Sequence, residues 1–187
     1  MAAIEFAFVA PLLLCMYFAS MEASQAIETD KKVSRIASMV ADLVTQQQDT
    51  TSPVALKAIM DIGKALVQPY NRSRPEIVIT AISISDENTP KVTVAWSSRL
   101  AGDGTKCLGE ANETKGKTTT VPADLNTRGA FLVRVASCLD YQPVITWSTG
   151  DTPGFGWTSI FKNISMKETY YLRPRMSQEI SCADCLT

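Results

Sequence analysis

The chain begins with an apolar run and then changes its hydrophobic period twice. No charged residue occurs from Phe6 to Met21, and Glu5 stands directly in front of this stretch. Phe6, Phe8, Leu12, Leu13, Leu14 and Phe18 mark it as a membrane or filament helix. At 1.5 Å per residue the run covers about 24 Å, short of a hydrocarbon core of about 30 Å. Extending it to Ile27 closes the gap at the expense of burying Glu22. Pro11 lies inside it, where a missing N–H and a steric clash predict a kink or local melting over residues 7–11. Beyond the run, Val33, Ile36, Ala37, Val40 and Val44 recur at helical spacing on one side. The helix is therefore expected to continue to about Gln48 and to lie against a soluble domain, with Lys31, Lys32, Arg35 and Asp42 on its other faces.

Ser52 followed by Pro53 reads as an N-cap with proline at the first helical position. Leu56, Ile59, Met60 and Gly63 then mark a second amphipathic helix, which stops by Pro69. From Glu76 the period becomes two. Glu76–Ser85 and Lys91–Ser97 read as a hairpin, Ala130–Tyr141 as a third strand and Ile164–Arg173 as a fourth, ended by Pro174. A polar excursion over residues 99–128 separates the second strand from the third. The expectation is an α+β fold, two helices packed on a four-stranded antiparallel meander. Residues 1–48 would form the membrane or filament helix continuing into the soluble part, and residues 49–187 the globular domain.

Composition narrows the chemistry. The 187 residues carry 18 basic and 19 acidic side chains, a net charge of −1 that gives no electrostatic reason to expect nucleic acid. Histidine is absent, which removes the commonest general base and the commonest zinc ligand. No catalytic residue, metal ligand or cofactor is expected. Four of the five cysteines, Cys107, Cys138, Cys182 and Cys185, follow the apolar run and allow three complete pairings. In a meander, Cys107 and the Cys182-x-x-Cys185 motif would share one end and Cys138 would lie at the other. The expected bridges are still Cys182–Cys185 and Cys107–Cys138, with the long loop folding back. A redox role for the CxxC motif needs its first thiol at a helix N-terminus. Only Leu186 and Thr187 follow, so a structural bridge is expected.

Glu5 is the most informative charge. A carboxylate beside a hydrocarbon-length helix is costly, about 2.5–3.5 kcal/mol at mid-depth and less near an end. A free α-amine at Met1 would neutralise it, since such an amine titrates at about pH 8. The two groups need not belong to one chain. As alternatives, Glu5 is a first-turn acid favoured by the helix dipole, or the segment is a plain membrane anchor.

The segment MAAIEFAFVAPLLLCMYFASMEASQAI resembles the mature N-terminus of a type IV pilin. Further pieces, Ile36–Val44, Lys91–Ser97, Val121–Leu125 and Glu168–Arg175, follow in an order similar to the TadE-like minor pilins of the tight-adherence pilus system. No basic leader precedes Met1, which is either the processed end or an initiator. The resemblance implies a prepilin inserted in the bacterial inner membrane and cut by a prepilin peptidase. It implies a periplasmic domain that moves with the assembly machinery into an extracellular pilus. It also implies that Met1 and Glu5 contact other pilin subunits through their N-terminal helices. A second reading is a membrane-anchored module that binds a surface or sugar through Trp147, Phe155 and Trp157, which lie among turn-forming glycines and prolines. Trp96 and Tyr170 are expected to pack the sheet on the helices, and Arg173 and Arg175 to sit at a solvated strand end.

Overall fold

The computed structural model describes residues 2–102, 107–108, 114–143, 164–182 and 184–185, with side chains from residue 4 onward. Met1, Trp147, Phe155 and Trp157 lie outside the described residues. Helix α1 runs over Ala2–Thr45, a short strand β1 over Thr50–Thr51, and helix α2 over Pro53–Ala65. Strands β2 (Glu76–Ile84), β3 (Val92–Leu100), β4 (Phe131–Tyr141), β5 (Ile164–Leu172) and β6 (Ser181–Cys182) follow.

Helix α1 is continuous through Pro11, so the expected local melting over residues 7–11 is absent. One lost hydrogen bond is offset by a long helix on either side of it. Helix α2 begins as its sequence dictates: the Ser52 hydroxyl accepts from the Ala55 N–H at 3.2 Å, with Pro53 in the first turn. Its buried residues Leu56, Ile59, Met60 and Gly63 face α1 and the sheet.

The sheet is antiparallel, in the order β3-β2-β4-β5. It is not the sequential meander that the order of strands suggested. β4 pairs with β2 rather than β3, and the polar excursion carries the chain across to the other side of β2. Burial explains the preference. β2 is covered on both faces, and its run of Ile77, Val78, Ile79, Ala81, Ile82 and Ile84 suits a central strand better than an edge. Ile77, Ile79 and Ala81 join Val133, Val135 and Leu139 of β4 and Val33, Ile36, Val40 and Val44 of α1 in the main core. On the opposite face, Ile82, Ile84, Val92 and Leu132 form a smaller core under Val121 and Leu125 of the excursion.

This order changes the cysteine geometry. Cys138 lies opposite Glu76 on β2, and Ile77 lies opposite Leu100, so the end of β3 and the start of β2 meet beside Cys138. Cys107, seven residues beyond Leu100, is thereby joined to Cys138, with a Cα–Cα distance of 5.9 Å. Cys182 instead pairs alongside Thr51, just after α1 ends, and is bridged to Cys185. The expectation that Cys107 and the CxxC motif share one end was wrong, because it rested on the meander.

Trp96 is buried in the main core and donates its indole N–H to the Ile180 carbonyl at 2.7 Å, tying the C-terminal segment to β3. Tyr170 does not pack as expected. It lies on β5, at the margin of the sheet, and is 38% exposed. Arg175 pairs with Asp42 at 2.8 Å and Arg173 donates to the Thr127 hydroxyl at 3.0 Å, so both arginines are held within the chain.

Gly63 marks the closest approach of the two helices. A Cβ there would stand 2.6 Å from Val40 Cγ2 and 3.3 Å from Ile36 Cγ2. Glycine inside a helix ordinarily costs about 0.5–1 kcal/mol relative to alanine. Overpacking a filled core costs about 1–3 kcal/mol. The clash therefore prevails, and Gly63→Ala is expected to destabilise the domain by about 1 kcal/mol. In the Val40→Ala background the same change is expected to become neutral or stabilising. Denaturant midpoints of the four proteins check this; a stabilising single substitution refutes it.

Candidate functional site

Helix α1 has two halves with opposite environments. From Val33 onward the stripe of Val33, Ile36, Ala37, Val40, Ala41 and Val44 is fully buried against the domain. From Ile4 to Met21 no side chain is buried, and most are exposed. Phe6 is 72% exposed, Phe8 78%, and Leu12, Leu13 and Leu14 each more than half. Phe18 is partly exposed as well, and Pro11 lies on the open surface. The helix is long and apolar enough to cross a membrane, and none of its membrane-length window is buried. A patch of this kind is far larger than water-exposed monomers tolerate and marks a surface for lipid or protein. Glu5 is exposed at the head of it.

The transition between the halves occurs at Glu22. This residue is 3% exposed although it directly follows the apolar run. Its carboxylate accepts a hydrogen bond from the Tyr141 hydroxyl at 2.5 Å. Tyr141, at the end of β4, is stacked on Tyr70 with ring centroids 5.7 Å apart and planes inclined by 17°. The Tyr70 hydroxyl accepts from the Gln142 N–H at 2.8 Å, and the Arg72 guanidinium lies 5.3 Å from the Tyr70 ring centre. Burial first, then the bond to Glu22, pushes the Tyr141 phenol well above its ordinary range, so it remains a donor at all physiological pH.

Sequence reasoning treated Glu22 only as an obstacle to a longer membrane span and did not connect it to Tyr141. A signal was present: Glu22, Ala26 and Thr29 extend the stripe of Val33 and Ile36 backwards at spacings of four, three and four. Glu22 thus lies on the domain-facing side of α1. Its partner, 119 positions away, carries no such signal.

Of the expected site residues, the structure brings Cys107 to Cys138 and Cys182 to Cys185, and it displays the residues of the apolar helix. It leaves the Met1–Glu5 contact and the aromatic loop open, because Met1 and the loop fall outside the described residues. Asp140 lies near the Cys107–Cys138 bridge, but those thiols are spent on the disulfide and do not form a metal site.

Residues 1–42 match the family model described as TadE-like protein. The match covers the apolar segment and most of α1, including the greater part of Ile36–Val44, whereas Lys91–Ser97, Val121–Leu125 and Glu168–Arg175 lie beyond it. No curated protein and no solved structure matches the chain. The match and the exposed apolar helix fit a pilus-associated protein anchored in a membrane.

Proposed function

We propose that this chain, TadE-like over its first 42 residues, is a minor pilin that uses one helix twice, first in the inner membrane and then in a tight-adherence pilus. The observation that carries the proposal is the membrane-length apolar window of α1, none of it buried by the chain's own domain. In lipid that surface is solvated by acyl chains, and in a filament by the corresponding helices of neighbouring subunits. Both settings remove it from water, the condition that its composition demands.

In this reading residues 1–48 form the membrane and filament helix, continuing into the soluble part, and residues 49–187 the globular domain. The domain lies in the periplasm before assembly and on the extracellular pilus afterwards. The partners are other pilin subunits, a prepilin peptidase and the assembly machinery. The role is structural rather than enzymatic, supporting assembly or adhesion.

Immunogold labelling of cells that express the chain tests the proposal. Gold is expected on filaments as well as on the cell envelope. Labelling confined to the envelope would reduce the protein to a membrane anchor.

A further inference from the structure

No residue of α1 from Ile4 to Met21 is buried, so the direction of the apolar half depends on the last point at which the helix is firmly held. That point is Glu22. From Glu22 to Ile4 the unsupported helix extends about 27 Å at 1.5 Å per residue. If the hold at Glu22 were lost, the next buried position would be Thr29. The free length would then grow to about 33 Å at Ala26, which packs partly buried against the core, and to about 38 Å at Thr29. A small angular freedom at the anchor would become a large sweep at the N-terminus.

Glu22 is suited to the task by its surroundings. Left facing outward, its carboxylate would lie at the edge of the hydrocarbon-length segment, where an ionised acid is unfavourable. Turned toward the domain, it meets a hydroxyl whose ring is held flat against Tyr70 at the end of β4. Tyr70 is itself fixed by Gln142. We infer that Glu22 is a positioning residue that acts through Tyr141 to fix the direction in which the apolar helix leaves the domain. The inference rests on residues 4–21 being the membrane and assembly helix. In that setting the contact would give every subunit the same helix–domain angle before it meets its neighbours.

The test uses the full chain in phosphatidylethanolamine–phosphatidylglycerol vesicles. Cys15, which is free and exposed, takes one spin label. Ala65→Cys, on the exposed side of α2, takes the other. The wild-type background is expected to give one narrow distance distribution by pulsed electron paramagnetic resonance. Tyr141→Phe keeps the ring stacked on Tyr70 but removes the donor, and is expected to at least double the width. Glu22→Gln keeps an acceptor oxygen and is expected to stay close to the wild-type width. A contact that served only domain stability would lower the melting temperature and leave the width unchanged. An unchanged width in Tyr141→Phe therefore overturns the inference, as does broadening in Glu22→Gln alone. Flotation of the same vesicles separates the two readings. A chain that does not float overturns both the membrane reading and this inference, whereas one that floats with unaltered widths overturns only the inference.

Discussion

Replacing Glu5 with alanine is expected to remove the chain from filaments while leaving it in the membrane. Glu5 is exposed at the head of an apolar helix, and no residue of the described domain neutralises it there. In the proposed assembly its partner is the Met1 amine of an adjacent subunit. Deleting one member of a buried ion pair leaves the other charge uncompensated, at a cost of about 3–5 kcal/mol. Even the lower figure is more than a hundredfold in an association constant, since about 1.4 kcal/mol is tenfold. Membrane insertion should not suffer, because losing a carboxylate beside hydrocarbon is favourable. Quantitative immunoblots of sheared filaments and of the membrane fraction check both halves. Recovery of Glu5→Ala in filaments at the wild-type level would show that the charge has no part in assembly.

Glu76→Ala is expected to cause a large loss of domain stability. Glu76 is 3% exposed at the start of β2 and forms an ion pair with Arg99 of β3. Its second oxygen accepts from the Leu108 N–H at 3.0 Å, directly after Cys107. One carboxylate thus joins two strands and the segment that carries the disulfide. Truncation is expected to cost about 3 kcal/mol. For a chain of this size that corresponds to about 6–12 °C in melting temperature. Glu76→Gln retains an acceptor for the Leu108 N–H and should lose less. Thermal unfolding of the oxidised protein measures both; a loss below about 1 kcal/mol for Glu76→Ala would place the hold on this end of the sheet in the disulfide alone.

How much of this was legible in the sequence depends on the range of the interaction involved. The cap at Ser52, the stripe from Val33 to Val44 and the alternation of β4 are local, and each fixed an element and its buried face. Neighbour relations were not legible in the same way. A period of two says which side chains share a face but not which strand lies alongside, and the order of strands wrongly suggested that β4 would pair with β3. The isoleucine-rich run of β2 held the missing information, since a strand without a polar face belongs in the middle of a sheet. Tyr170 misled for a related reason: its place on the marginal strand β5 leaves it partly open. At the candidate site, the apolar helix and Glu5 were evident from composition. The Glu22–Tyr141 contact was not, because it joins groups 119 residues apart and only the fold brings them together.

The claim that one helix serves both membrane and filament can be tested most directly at Cys15, the free thiol exposed within the apolar run. Its reaction with a water-soluble, membrane-impermeant maleimide would be followed in membranes, in purified filaments and after denaturation. The thiol is expected to be protected in the first two states and to react fully in the third. A Cys15 that reacts in intact filaments as fast as in the denatured chain would contradict a buried filament helix.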